Sequence, residues 1–359
     1  MMREEFVSDL TEGMVTARDI YSSDGIMIVP RGIILTDPII RHLEALGVFT
    51  VKVEDDLKQP EPAPFIHTED YVEFKQQYSD VKDKVNNAFE AVLRKDADAE
   101  EINQIVNDSW QICSNSKNSY DTINMLYSMH SYSDATYTHS MNVGIIAALI
   151  GKWLGWSEEK QRLLHMCGLF HDIGKLQIPK EVLDKPSKLT DEEYDIMKQH
   201  TLKGYELIKN MGLAPSVVNA ALMHHERCDG SGYPNGLTGD KIDKLAKVVA
   251  IADVYEAMTA NRVYRSAMCP FDVVARFEET GFQEFETEYL LVFLQNIVDS
   301  YLHSRVLLSN GEKAEIILIN RQKGSRPLVM TSSGKPIDLN TEKDIRITHI
   351  YGYDEIDEM

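Results

Sequence analysis

The hydrophobic positions of this 359-residue chain change period along its length. Over the first 58 residues, short β-type runs alternate with turns in "MVTARDIYSSDGIMIVPRGIIL", followed by the helical "TDPIIRHLEALG" and the strand-like "FTVKV". Thr36 or Asp37 is placed to cap that helix, Pro38 suits its first turn, and Gly47 suits its end. From Glu69 to Met129 the period is helical, with Tyr71, Phe74, Tyr78, Val81, Val85, Phe89 and Val92 spaced by three and four. The polar "RKDADAEE" divides this stretch in two. It reads as a helical hairpin that spaces or dimerises the protein, in preference to one that binds a ligand. Residues 131–305 are helix after helix: Ser157 can cap "EEKQRLLHMCGLFHD", and Thr190 with Glu193 makes a capping-box pair for the helix carrying His200. Beyond Leu307, short β-type runs return, broken by "SNG", "KGSRP" and "SSGK".

These patterns predict a mainly α protein. A small α+β accessory module (1–58) leads through a linker (59–68), with three prolines in "PEPAP", to a connecting helical segment (69–130). A large helical domain (131–305) follows, and a β-rich C-terminal appendage (306–359) is expected to pack on it.

Charge narrows the function. Asp and Glu number 57 against 37 Lys and Arg, a formal charge of −20, which disfavours DNA or RNA as a partner because such binding depends on cations neutralising phosphates. A small anion remains acceptable where cations gather locally. Cys113, Cys167, Cys228 and Cys269 form no CxxC pair and read as free thiols of a reducing compartment. The N-terminus lacks a signal-peptide apolar core, and "VGIIAALIG" falls short of the ~20 residues of a membrane helix, so no membrane insertion and a cytoplasmic location are expected.

The chemistry lies in the helical domain. Six of the eleven histidines fall between His139 and His225; His165 sits in an amphipathic helix and reads as a packing or surface residue. His139, His171, His200, His224 and His225 stand beside polar or small residues. Asp172, and Asp253 in "AIADVYEAMTANRVYR", put carboxylates into apolar helices, which is costly unless a cation pairs with them. Five histidines and two aspartates without thiolates suit borderline metals such as Fe, Mn, Co, Ni or Zn. Seven ligands approach what two adjacent ions need if one carboxylate bridges them, an arrangement used for phosphoester hydrolysis. On a continuous helix His171 and Lys175 would share a face, with Asp172 rotated by about 100°.

"HDIGK", the spaced His200, "HHERCDGSGYPNGL" and "IADVYEAMTANRVYR" together resemble the HD-GYP branch of the HD metal-dependent phosphohydrolase superfamily, over about 131–305. The resemblance implies a helical HD-type domain, a bacterial cyclic di-GMP phosphodiesterase activity and a centre of divalent ions, most often iron or manganese. It implies that His139, His171, Asp172 and Asp253 hold one ion, and that Asp172, as bridge, holds the second with His200, His224 and His225. Lys175 would face the scissile phosphate, Arg262 and Arg265 would hold substrate phosphates, and Gly232 and Tyr233 would meet the nucleotide.

The residues agree with those last roles. Glycines 230 and 232 permit positive φ and close backbone approach, Tyr233 can stack on a guanine, and Arg262 and Arg265, three apart, share a helical face. One position departs from the family. Members with a third ion carry a glutamate one turn before the first histidine, where this chain has Ala135, with Asp134 beside it. Two ions, and cleavage that stops mainly at the linear dinucleotide pGpG, are therefore expected. The competing readings are hydrolysis of another cyclic dinucleotide such as cyclic GMP-AMP, or a non-catalytic cyclic-dinucleotide receptor.

Overall fold

The computed structural model describes residues 3–21, 27–29, 31, 33, 35–54, 69–96, 99–114, 119–129, 136–260 and 267–352. The expected linker, together with Asp134, Ala135, Arg262 and Arg265, lies outside them. The described residues form two compact units, one from both ends of the chain and one from its middle.

The first unit begins with strands β1 (Arg3–Phe6), β2 (Val15–Thr16), β3 (Ile20–Tyr21) and β4 (Met27–Val29), helix α1 (Asp37–Ala45) and strand β5 (Thr50–Glu54). β5 lies between β1 and β2, antiparallel to both, with Arg3 opposite Val53 and Val15 opposite Glu54. The start of α1 differs from expectation: the Thr36 side chain makes no cap bond, and Glu12 Oε1 accepts the Asp37 N–H at 2.9 Å instead.

The C-terminal strands β6 (Arg305–Leu308), β7 (Lys313–Leu318), β8 (Leu328–Thr331), β9 (Pro336–Asp338) and β10 (Ile347–Ile350) form an antiparallel sheet in the order β10-β6-β7-β8-β9. This sheet was expected as a separate appendage on the helical domain, but it groups with the N-terminal module. Ile317, Leu318 and Leu328 share one core with Leu35, Ile39, Leu43, Val51 and Val53. Pooling apolar side chains from both ends in one core removes their surface from water.

The second unit contains helices α2 (Glu69–Arg94), α3 (Ala99–Ser114), α4 (Ser119–Met129), α5 (Thr136–Trp153), α6 (Glu158–Phe170), α7 (Lys180–Leu183), α8 (Asp191–Lys198), α9 (His200–Ile208), α10 (Pro215–Met223), α11 (Lys244–Thr259), α12 (Pro270–Arg276), α13 (Phe282–Glu284) and α14 (Thr287–Ile297). α5 is its central rod, buried continuously from Thr138 to Gly151, and it packs against α6 and α11. Its apolar run is therefore a core helix, and each fully buried Ile or Leu there contributes about 1.5–3 kcal/mol. No described helix is long and apolar enough to cross a membrane.

The stripe from Tyr71 to Val92 on α2 is buried throughout, with α2 packed on α3 and α5 within the same unit. The segment read as a spacer or dimer face is thus built into the helical unit. The capping box at Thr190 and Glu193 is present and opens α8, but His200 begins a separate helix. The break comes where Gln199 N–H turns back to the Ile196 carbonyl and His200 Nδ1 bonds the Met197 carbonyl.

Candidate metal centre

Helix ends and one tight turn deliver the polar side chains. His139 lies in the first turns of α5, Asp253 in α11, His200 at the start of α9, and His224 and His225 just past α10. α6 ends at Phe170; His171 follows as its C-cap, and Asp172 leaves helical geometry (φ −102°, ψ 8°) to open a 3-10 turn over Ile173–Gln177. That turn corrects the expected common face for His171 and Lys175. It places Lys175 Nζ instead on Asp172 Oδ2, at 2.5 Å. The turn needs glycine at 174, where a Cβ would lie 1.9 Å from the His200 carbonyl oxygen, so glycine permits the close approach of Asp172 and His200.

All seven expected ligand residues converge. His139, His171 and Asp253 form one group and Asp172, His200, His224 and His225 the other, each with one ligand atom per residue within 4.8 Å of the rest of its group. Asp172 faces both. Its Oδ2 is 3.3 Å from His139 Nε2 and 3.2 Å from His171 Nε2, while its Oδ1 is 3.4 Å from His200 Nε2 and 3.7 Å from His224 Nε2. Asp253 Oδ1 lies 3.1 Å from His139 Nε2, and its Oδ2 3.8 Å from His225 Nδ1.

The hydrogen-bond partners set the tautomers. His171, His200 and His224 donate Nδ1–H to the carbonyls of Gly168, Met197 and Ala220, at 2.6, 2.7 and 2.9 Å, and His139 Nδ1 bonds the Glu256 carboxylate. In each neutral ring the Nε2 lone pair is then directed at the centre, the arrangement that supporting bonds impose on metal-ligating histidines. Burial pushes His200 down to about 4 and His224 and His225 well below their ordinary value, so these rings are neutral at pH 7. Burial also lowers His171, but Asp172 and Asp253 overcome it and raise the ring. Burial works against ionised Asp172 and Asp253, yet the neighbouring His171 and Lys175 hold the Asp172 carboxyl well below the usual range, and His139 and His171 beside Asp253 hold it low in the same way. His171 Nε2 and Asp172 Oδ1 are fully buried without a hydrogen bond. Inward lone pairs, two buried carboxylates and two orphaned acceptor atoms fit divalent cations.

Lys175 and His225, each with 20% of the side chain exposed, mark the solvent side. Tyr233 stacks on His225, ring centroids 4.7 Å apart, and its N–H bonds the His225 carbonyl. Gly230 has φ +82°, as expected, whereas Gly232 needs glycine for space: a Cβ would meet the His225 oxygen and the Arg227 nitrogen at 2.4 Å.

Three supporting residues were absent from the sequence reading. Glu226, 2% exposed, accepts N–H groups of Asn235 and Leu237 and clamps the loop. Asn142 and Glu256 lie one turn beyond His139 and Asp253 and bond each other at 3.0 Å. The signal that exposed Asp253, a polar residue in an apolar helix, applies equally to both.

Residues 103–280 match the family described as HD domain, and Gly232, Tyr233 and Pro234 lie beside the histidine cluster within that stretch. Two bacterial relatives are similar to part of the chain. One, from Xanthomonas campestris pv. campestris, is named cyclic di-GMP phosphodiesterase response regulator RpfG and is 47% identical over 124 residues, 34% of this chain and 33% of that protein. The other, from Vibrio cholerae, is named 3'3'-cGAMP-specific phosphodiesterase 1 and is 42% identical over 136 residues, 38% of this chain and 32% of that protein. The match thus spans about a third of either relative. A solved HDG"Y"P protein from Bdellovibrio bacteriovorus shares the fold over 82% of this chain and 98% of its own, with a TM-score of 0.53 at 14% identity.

Proposed function

We propose that this protein is a metal-dependent phosphodiesterase that hydrolyses cyclic di-GMP mainly to linear pGpG. The observation that carries the reading is Asp172, whose two oxygens address different histidine pairs. His139, His171, Asp172 and Asp253 would hold one divalent ion, and Asp172, His200, His224 and His225 a second, with Fe or Mn best suited to the donor set. Such ions supply a water of lowered pKa and positive charge for the phosphoryl oxygens.

The chain's own residues do the rest. Lys175, at the rim on Asp172, brings an ammonium to a non-bridging phosphate oxygen, which the protein's overall charge of −20 would otherwise repel. Tyr233 walls the mouth beside His225 and offers a surface for a base, with Gly232 letting the loop lie close; Arg262 and Arg265 are assigned to the substrate phosphates. Pairing of two chains through residues 69–130 would need a face other than the buried α2 stripe.

A second substrate, a hybrid cyclic dinucleotide, is favoured by the Vibrio relative's name. Comparing kcat/KM for cyclic di-GMP and 3'3'-cGAMP on Mn²⁺-loaded protein, with Asp172→Ala as the blank, separates the two. A higher value for cyclic di-GMP supports the proposal; a higher value for the hybrid replaces its substrate, and binding without turnover makes the protein a receptor.

A further inference from the structure

We infer that Tyr78, on α2, is a positioning residue for the metal centre, acting on His139 through Asn142 and Glu256. The Tyr78 hydroxyl donates to Asn142 Oδ1 at 2.6 Å, Asn142 Nδ2 donates to Glu256 Oε1 at 3.0 Å, and the other oxygen of Glu256 bonds His139 Nδ1. All four side chains are 2–3% exposed. His139 Nε2 then faces Asp253 and Asp172. Three helices are joined in this way: α2 gives Tyr78, α5 gives Asn142 and His139, and α11 gives Glu256 and Asp253.

The direction of each bond is fixed by chemistry. A neutral phenol must donate to reach the Asn142 oxygen, which turns the amide so that its NH₂ points at Glu256. Glu256, as a carboxylate, only accepts, so His139 donates its Nδ1–H to it and turns the Nε2 lone pair toward the ions. Without the phenol, Asn142 Oδ1 loses its donor in a buried place, and the amide is free to flip an oxygen toward the Glu256 carboxylate. The aim of the His139 ring then loosens.

Tyr78 belongs to the segment read from sequence as a spacer, and it lies outside residues 103–280. The inference makes α2 a supporting wall of the ion site, so a displacement of α2 alters how tightly the His139 group holds metal. It rests on the metal reading above.

The test uses the full chain loaded with Mn²⁺ and follows metal release to a chromogenic chelator. Tyr78→Phe is compared with wild type and with Val85→Ala, a substitution buried in the same helix outside the relay. Supporting residues of metal ligands typically contribute about 10–100-fold in metal affinity, so at least one release phase is expected to quicken by about 10-fold in Tyr78→Phe and to stay put in Val85→Ala. Far-UV circular dichroism and melting temperature of both variants show whether they are folded. If Tyr78→Phe is too unstable to load, Tyr78→Met, which also lacks the hydroxyl, replaces it, with the same acceleration expected. Unchanged release in the relay variant, or equal acceleration in Val85→Ala, overturns the inference. A wild-type protein that takes up no Mn²⁺ overturns the metal reading itself, a distinct failure.

Discussion

His200 and His224 point their Nε2 atoms at each other across 3.2 Å, while both rings donate their Nδ1 protons to main-chain carbonyls. Two lone pairs face one another, an arrangement that is repulsive until a cation enters between them and Asp172. Metal should therefore stabilise the fold. At a free Mn²⁺ concentration of about 100 Kd the gain is about 2.7 kcal/mol for one site. Calorimetry of chelator-treated and metal-loaded protein reads it as a higher melting temperature with metal; equal temperatures would show that the cluster is an apo hydrogen-bond network.

Asp172→Ala removes both oxygens that face the two histidine pairs. Loss of metal affinity should exceed the roughly 10–100-fold typical of supporting residues, with turnover lost and far-UV circular dichroism retained. Metal analysis after gel filtration checks this, and wild-type metal content would remove the bridge assignment.

Gly232→Ala tests the loop separately from the ions. A Cβ 2.4 Å from the His225 oxygen must push the Tyr233 segment outward, an overpacking of about 1–3 kcal/mol. Since about 1.4 kcal/mol is ten-fold, a loop displaced at that cost should raise KM for the cyclic dinucleotide by about five-fold or more while metal content is unchanged. A KM equal to wild type would mean that the loop does not meet substrate.

Much of the site could be read from sequence because the ligand residues are chemically conspicuous: histidines and aspartates break apolar helices. Asp253 stood out for that reason, and Asn142 and Glu256 carried the same signal. The local turns were less legible. Nothing in "HDIGKL" announces that the helix stops at Phe170, because the change to a 3-10 turn depends on Gly174 meeting the backbone of α9. The union of the chain's two ends was invisible for a related reason: the core that Leu43 and Val53 share with Ile317 and Leu328 joins residues far apart in the chain, and periodicity reports only which face is apolar, not what covers it.

Besides the lowered histidines of the centre, His165 should contribute to acid sensitivity: burial pushes it down to about 4, and its Nε2 lies 2.9 Å from Ser109 Oγ. The unfolded chain binds this proton below about pH 6.5 and the folded one only below about 4, so the contribution is complete above 6.5 and lost as pH falls through that window. One such proton gives a slope of about 1.4 kcal/mol per pH unit. Urea unfolding of metal-free protein between pH 6.5 and 4.5 should show a flatter pH dependence in His165→Gln than in wild type; parallel curves would place the proton uptake elsewhere.

The most direct test of the whole account is to incubate Mn²⁺-loaded protein with cyclic di-GMP and resolve the products by chromatography over time. The account predicts steady conversion to pGpG with little GMP, abolished by a chelator. Unchanged cyclic di-GMP would contradict the proposed activity, and conversion through to GMP would contradict the two-ion reading that rests on Ala135.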